Sequence, residues 1–218
     1  MDIGFDGNFY DADYFERGRE TGKGWLENYH WMPRRSFKEA FAYIDTLKLD
    51  ENSSVLDFGC AKGFIVRALR ILDINADGCD ISDYALSYAP PGCWNCSTEA
   101  SWKNHKTYGY THIICKDVFE HLTPAQFKET LIKLSWLAPK MMCVVPLGDN
   151  GKYRIPEYHS DISHIIIENE TWWKNMFEEK GWKIMEEYVH CNGLKDNWFT
   201  VNPDGNHVFI LEYGGKLL

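Results

Sequence analysis

Long hydrophobic runs are missing from this sequence of 218 residues. Apolar stretches such as Ile165–Ile167 are far shorter than the roughly 20 residues that a membrane-spanning helix needs. The amino terminus, Met1–Asp6, is acidic and lacks the basic and then apolar segments of a secretion signal. Internal repeats and low-complexity segments are absent as well. With 44% apolar residues, the chain is expected to form a packed, cytoplasmic globule that does not associate with membranes.

Basic residues are in the minority, with 23 Lys and Arg against 32 Asp and Glu and a net charge of −9. A protein that neutralises nucleic-acid phosphates normally presents a basic stripe. The two short basic clusters, Arg34-Arg35 and Lys103–Lys106, are interpreted as solvated surface. We therefore expect no nucleic-acid partner.

Cysteine is present in an odd number, seven, which argues against a complete disulfide framework. Cys115 and Cys143 lie in apolar runs, as is typical of reduced, buried thiols. Cys93-x-x-Cys96 is a lone pair, whereas a structural zinc site needs four ligands. A convincing carboxylate cluster is also lacking, so no metal is expected.

Strands and helices alternate along most of the chain. Residues 1–32 show little periodicity and predict an irregular arm, and Pro33 is a favoured residue for opening a helix. Seven strands are predicted, at 53–58, 77–80, 94–97, 111–115, 141–145, 182–189 and 207–213. Such alternation predicts an α/β fold with a doubly wound, mostly parallel sheet. Only a loop, 191–206, separates the last two strands, which indicates an antiparallel hairpin at one edge.

A glycine-containing turn, Gly59–Gly63, follows the first strand and precedes a helix. The dinucleotide fingerprint G-x-G-x-x-G fails here, because Ala61 and Phe64 occupy two of its three glycine positions. A P-loop is excluded because no Gly-Lys-Ser/Thr follows. Ligands of open α/β sheets bind beyond the carboxyl ends of the strands. Asp80 ends the second strand, where an acid can accept hydrogen bonds from a ribose diol.

These motifs together resemble those of the class I S-adenosylmethionine-dependent methyltransferases. Val55–Gly63 matches the first motif apart from Ala61, and Gly78–Ala85 matches the second. Thr98–Ala100 is similar to the element after the third strand, and His112–Leu122 to the fourth strand and its exit. The resemblance implies a seven-stranded Rossmann-like sheet with an antiparallel last strand, an arm or lid at 1–33, and a methyltransferase domain at 34–218.

The resemblance also implies how S-adenosylmethionine is held. Asp57 and the turn would lie against its methionine part and ribose, Asp80 would hold the ribose hydroxyls, and Glu99 would meet the adenine. Arg17 would pair with the carboxylate of the cofactor. The full implied set is Arg17, Asp57, Gly59, Cys60, Ala61, Gly63, Asp80, Ile81, Glu99, Lys116 and Asp117. From the residues alone, the alternatives are that Asp57 merely orders the turn and that Arg17 lies on the surface.

His164 is the candidate general base, because it lies late in the long connection 147–167 that follows the fifth strand. A structural histidine that bonds the loop backbone is the alternative, and His159 is a lesser candidate. Glu120-His121 is interpreted as packing against or capping the next helix.

Aromatic and polar residues in the arm and in this connection suit a sugar or an aromatic small molecule. The sequence most resembles methyltransferases of sugar and surface-glycan pathways, which implies O-methylation. N-methylation of an amine or protein side chain, or a cofactor-binding domain without catalysis, are the alternatives.

Overall fold

A computed structural model describes residues 4–105 and 109–215 of the chain. Its centre is a seven-stranded sheet in the order β3-β2-β1-β4-β5-β9-β8. The seven strands are β1 (Ser54–Phe58), β2 (Asn75–Asp80), β3 (Trp94–Asn95), β4 (His112–Lys116), β5 (Lys140–Pro146), β8 (Trp182–Tyr188) and β9 (Asn206–Tyr213). A separate two-stranded hairpin consists of β6 (Gly148–Asp149) and β7 (Lys152–Tyr153).

Strands β1 to β5 of the main sheet are parallel to one another, and β9 inserts antiparallel between β5 and β8. This confirms the predicted α/β architecture with its antiparallel last strand. In the central register, Asp57 lies opposite Gly78 on one side and Ile114 on the other. The carboxyl ends of β1, β2 and β4 therefore meet at one edge of the sheet.

Eight helices accompany the strands within the described residues. They are α1 (Ala12–Thr21), α2 (Pro33–Leu47), α3 (Phe64–Ile71), α4 (Asp83–Leu86), α5 (Glu99–His105), α6 (Pro124–Ser135), α7 (Glu170–Glu179) and α8 (Asp196–Val201). None of the described helices is both long and apolar enough to cross a membrane.

The sheet is covered on both faces, and alternate residues of β1 show how. Val55 packs with Tyr43 of α2 and Leu69 of α3 in one core. Leu56 points to the other face and packs in the core of α6 and α7, which includes Trp173. Because successive side chains of a strand point to opposite faces, a continuous apolar strand fits this two-sided burial.

Three helices were not predicted from the sequence. The arm is not wholly irregular, since it contains α1, which Asp11 caps by accepting a hydrogen bond from the Tyr14 amide. Helix α1 is short and kinked at Arg17, so its periodicity is brief. Helices α5 and α8 have seven and six residues, too few to produce a helical pattern, and α8 lies inside the predicted loop 191–206.

Side-chain caps fix the starts of two helices. Ser82 accepts a hydrogen bond from the Ala85 amide at 3.0 Å before α4. Thr123 and Gln126 form a reciprocal capping box at the start of α6.

Candidate functional site

A cleft opens at the carboxyl ends of β1, β2 and β4, where ligands of open α/β sheets bind. It encloses about 1250 Å³ of space, counting its open mouth, which is enough for a nucleotide-sized molecule. The strand ends form its floor, and residues from the arm and from the connection 147–167 form its roof. Three segments that are distant in sequence thus meet here.

The glycine turn after β1 is tightly packed. Gly59 has a φ of 78°, and a Cβ placed there would lie 2.2 Å from Cγ2 of Val118. Its amide donates to the Cys79 carbonyl at 2.8 Å, and the Cys60 amide donates to the same oxygen at 3.0 Å. Cys60 is buried and lines a smaller recess next to the cleft. Only glycine fits at position 59.

Ala61 and Gly63 complete the turn in left-handed conformations, with φ of 48° and 68°. Ala61 is thus an alanine in a conformation that favours glycine. It lines the cleft, whereas Gly63 caps α3 against Pro90. The departure from the family motif at Ala61 therefore leaves the turn intact.

Asp80 lies in the cleft at the end of β2. Its Oδ2 accepts from the Ala61 amide at 2.8 Å, and its Oδ1 accepts from the Ser82 amide at 2.9 Å. Burial raises the pKa of this carboxyl, and the backbone hydrogen bonds oppose that rise. Each carboxylate oxygen has a second lone pair, so the side chain is oriented and can still accept two further hydrogen bonds. Ile81 follows it and also lines the cleft.

A row of buried charges follows β4. The ammonium of Lys116 lies 3.0 Å from Oδ2 of Asp117 and 3.8 Å from Oε2 of Glu39. Oδ1 of Asp117 forms an ion pair with Lys195. Burial would raise the pKa of Asp117, yet the two lysines hold it well below its usual range. Lys116 and Asp117 both line the cleft.

Lys195 was not found from the sequence. It lies in the connection between β8 and β9, which carried no motif, and donates to the Tyr158 hydroxyl at 3.0 Å. Both residues line the cleft. The connection reaches the cleft because β9 inserts next to β5.

Asp57 lies at the rear of the cleft, in the small recess that also contains Gly59 and Lys116. Burial raises its pKa to about 7, against the opposing attraction of Lys116. The recess also contains Glu39 and Arg35, so two acids, a lysine and an arginine surround a small cavity. The two carboxyl groups can accept hydrogen bonds from a cationic group such as an amine.

The structure does not bring Arg17 to the cleft. Arg17 is more than half exposed and pairs with Asp13, one helical turn away. Arg35 lies there instead, although the pair Arg34-Arg35 was interpreted as solvated surface. Nε of Arg35 donates to Glu39 at 2.9 Å. Within the described residues its terminal nitrogens have no hydrogen-bond acceptor, so they are available to an anionic ligand.

Glu99 also lies away from the cleft. It begins α5 with its side chain half exposed, near Lys103 at 3.7 Å and Lys133 at 3.4 Å. Cys96, which follows β3, lines the cleft in its place. Lys103 begins the basic cluster Lys103–Lys106, and the last residue of that cluster, Lys106, lies outside the described residues.

His164 lines the cleft, and its side chain is only 7% exposed. Its Nδ1 lies 2.8 Å from the carbonyl oxygen of Tyr158. A carbonyl only accepts, so we assign the ring proton to Nδ1 and a lone pair to Nε2. Burial lowers the pKa of His164 to about 3, and the neighbouring His121 adds to this effect. The imidazole is therefore neutral. The hydrogen bond to the Tyr158 carbonyl is also the one expected of a structural histidine that bonds the loop backbone, which was the alternative to a general base.

Glu120 and His121 also line the cleft, rather than only packing against α6. The Glu120 side chain is buried, which raises its pKa to about 8, and Asp117 adds to the rise. Its backbone carbonyl accepts from the amides of Ile165 and Ile166 at 2.7 and 3.0 Å. These two bonds hold the connection 147–167 against the end of β4.

The arm forms the roof of the cleft, and hydrogen bonds attach it to the glycine turn and to the connection 147–167. Lys62, which is buried in the glycine turn, donates to the Tyr29 carbonyl at 2.8 Å and pairs with Glu16. Tyr14 donates to Asp161 in the connection. Aromatic side chains of the arm face the cleft beneath these anchors: Phe5, Tyr10, Tyr14, Phe15, Trp25 and Tyr29.

The sheet and its cleft have counterparts among solved structures. No protein-family model matches the chain, and no curated protein matches it in sequence. A putative methyltransferase in complex with the Trm112 activator from Haloferax volcanii shares 15% identity at a TM-score of 0.66, covering 97% of this chain and 98% of that one. Magnesium protoporphyrin IX methyltransferase (ChlM) from Synechocystis, with bound SAH, shares 13% identity at a TM-score of 0.62, covering 94% and 96%.

A third similar structure is the small RNA methyltransferase HEN1, with 16% identity at a TM-score of 0.59, covering 89% of this chain and 27% of that one. At these identities the likeness establishes the fold. The chain therefore has the Rossmann-like fold of the S-adenosylmethionine-dependent methyltransferases.

Proposed function

We propose that this chain is an S-adenosylmethionine-dependent methyltransferase that methylates a hydroxyl group of a small molecule or sugar. The observation that carries the proposal is the position and orientation of the Asp80 carboxylate. Two backbone amides, from Ala61 and Ser82, orient its carboxylate at the end of β2. The oxygens retain lone pairs that face the cleft, and a ribose diol can donate to both of them.

The remaining surfaces of the cleft fit the other parts of the cofactor. Ile81, Cys96 and Val118 offer apolar contacts next to Asp80, which suit the adenine. Arg35 and Lys116 line both the cleft and the recess that contains Asp57. We assign the cofactor carboxylate to Arg35 in place of Arg17, because a guanidinium binds a carboxylate in a bidentate way.

The acids next to Lys116 suit the amino group of the cofactor. Asp57 and Glu39 line the recess behind Gly59 together with Lys116. A cationic amine in this recess would favour the ionised form of Asp57. In this arrangement Asp57 contacts the ligand as well as supporting the turn.

Bound S-adenosylmethionine supplies a methyl group on a sulfonium. The acceptor oxygen forms a bond to the methyl carbon, the carbon–sulfur bond breaks, and its electron pair stays on sulfur. The chain must align the two reactants, exclude water and remove the hydroxyl proton. His164 is proposed to take that proton at Nε2, and the roof formed by the arm keeps water out.

The acceptor is proposed from the lining of the cleft. Tyr14, Trp25, Tyr29 and Tyr158 present aromatic faces with polar edges, which suit a sugar or an aromatic ring. Proteins with similar folds include methyltransferases of acceptors as different as magnesium protoporphyrin IX and small RNA. The acidic net charge of −9 supports the small acceptor over the nucleic acid. The seven cysteines are free thiols, which supports a reducing, cytoplasmic location.

Calorimetry tests the cofactor, with S-adenosylmethionine, S-adenosylhomocysteine and NAD as separate titrants. We expect both sulfur compounds to bind and NAD not to bind; the reverse result would overturn the proposal. Methyl transfer is then measured against nucleotide sugars, phenols and amines. His164→Ala should slow transfer to a hydroxyl and leave cofactor affinity unchanged. An enzyme that methylates only amines, and is insensitive to this substitution, would contradict the hydroxyl acceptor.

A further inference from the structure

Three side chains that could each bind a metal ion lie together in one corner of the cleft. They are Glu120, His121 and His164, and one potential ligand atom from each lies within 4.8 Å of those of the other two. Oε2 of Glu120 is buried and has no hydrogen-bond partner among the described residues. A buried carboxyl oxygen without a partner is costly, and a cation bound in this corner would give it one.

The protonation of His121 follows from its neighbours. Its Nδ1 lies 2.8 Å from Oγ of Ser163, and that hydroxyl donates its own proton to Oδ1 of Asp161 at 2.6 Å. The Ser163 oxygen must therefore accept from Nδ1 of His121. As in His164, the proton is assigned to Nδ1 and the lone pair to Nε2. The two rings lie 4.6 Å apart between centroids.

We infer that Glu120, His121 and His164 form a binding site for a divalent transition-metal cation. Two imidazole nitrogens and one carboxylate are a recurrent ligand set for such ions, and they leave coordination positions open. Both histidines already have the outer hydrogen bond at Nδ1 that fixes the ring orientation of metal-binding imidazoles. Ligands of one cation lie about 3–4 Å apart, so closure needs side-chain movements of about 1–2 Å.

The position of this metal site gives it a function that rests on the proposed methyl transfer. It follows Asp117 at the end of β4 and faces the part of the cleft roofed by Tyr14 and Tyr158. A cation there lowers the pKa of a hydroxyl that approaches an open coordination position. The acceptor would lose its proton to solvent as it enters the cleft, before the roof excludes water, and would present an oxyanion to the methyl group. His164 would then act as a ligand instead of a free base.

Metal binding can be measured without an acceptor. The full chain is stripped with a chelator and titrated with Mn²⁺, followed by electron paramagnetic resonance, and with Co²⁺, followed by visible absorption. We expect one ion per chain and a loss of affinity of at least about tenfold in Glu120→Gln and in His164→Ala. His159→Ala is the matched control, because His159 is an exposed histidine of the same connection that bonds the Tyr153 amide.

S-adenosylhomocysteine binding is measured on the same samples to separate the two proposals. Variants that still bind this ligand are folded, so a metal affinity equal to that of the wild type would overturn the metal site. Failure of the wild type to bind either ion would overturn it as well, and would leave the methyltransferase proposal standing. Metal binding without S-adenosylhomocysteine binding would support the site and contradict the proposed function.

Discussion

The hydroxyl of Tyr14 donates a 2.8 Å hydrogen bond to Oδ2 of Asp161, across 147 residues of sequence. This bond joins the arm to the connection 147–167 above the cleft. Both side chains are buried, so the bond is sheltered from water. The roof of the cleft is thus held together by a contact between two segments that are far apart in the sequence.

Tyr14→Phe should loosen this roof. The substitution removes the donor and leaves the buried Asp161 carboxylate with one partner fewer, at a cost of about 1–3 kcal/mol. Hydrogen exchange followed by mass spectrometry should be faster in residues 5–29 and unchanged in β1 and β4. Tyr188→Phe is the control, since that hydroxyl bonds Glu186 on the exposed face of β8. Equal protection of the arm in the variant and the wild type would contradict the role of this bond.

Asp80→Asn should weaken binding of S-adenosylhomocysteine by about ten- to hundredfold, which corresponds to the 1.5–3 kcal/mol typical of hydrogen bonds to a charged group. The amide replaces one of the two accepting oxygens by an NH2 group, so it cannot accept from both backbone amides and both ribose hydroxyls as the carboxylate can. Calorimetry measures the change. Asp83→Asn, three residues later and exposed, should bind as the wild type does. Unchanged affinity in Asp80→Asn would mean that the ribose is held elsewhere.

The sequence located those parts of the site that depend on local rules. Asp80 was found because an acid at the end of a parallel strand lies at the ligand edge of the sheet, whereas Lys116 was named only because the exit of β4 resembles the methyltransferase motif. Strands β4 and β5 were found because each is a short, mostly apolar run between turn signals. Ala61 was recognised as the one departure from the first motif, and it keeps the left-handed conformation of the turn with a φ of 48°.

Residues that reach the cleft through tertiary contacts were missed. Arg35 lies on α2, before the first strand, and nothing local distinguishes it from Arg34. Arg17 resembles an entry-segment arginine in sequence, yet a nearby carboxylate, Asp13, pairs with it on the same helix. Lys195 depends on where β9 inserts in the sheet, which no short pattern encodes.

Arg35 and Arg17 can be separated by the same substitution at both positions. Arg35→Gln should weaken S-adenosylmethionine binding by about tenfold or more, because a charge-assisted hydrogen bond to the cofactor carboxylate is lost. Arg17→Gln should leave it unchanged, since it removes only an exposed ion pair. Titration calorimetry at one ionic strength compares the two. Equal losses of affinity, or a larger loss in Arg17→Gln, would contradict the assignment of the cofactor carboxylate to Arg35 and would support Arg17 as its partner.

Gly59→Ala tests the tight turn after β1. The added Cβ would meet Val118 at 2.2 Å while the backbone stays at a φ of 78°, so we expect a loss of about 2–4 kcal/mol in unfolding free energy. Gly22→Ala has a similar φ of 71° but no atom within 4 Å of the new methyl group, and should lose only about 1 kcal/mol. Denaturant unfolding measures both. Equal losses would show that the contact with Val118 is not limiting.

Asp57 should make stability depend on pH. Burial raises its pKa in the folded protein to about 7, against about 4 in the unfolded chain. Between these values the folded state binds more protons than the unfolded state, so the contribution of Asp57 becomes less favourable as the pH rises. Asp57→Asn removes this proton linkage while keeping the shape of the side chain.

Unfolding free energies of the wild type and Asp57→Asn should therefore be measured from pH 5 to pH 8 in the absence of ligand. The difference between them should shift in favour of the variant by about 1 kcal/mol per pH unit up to pH 7, and then level off. Glu120, whose pKa is also raised, is present in both proteins and cancels in the difference. A difference that stays constant over this range would show that Asp57 is ionised in the folded protein, as it would be if Lys116 outweighed its burial.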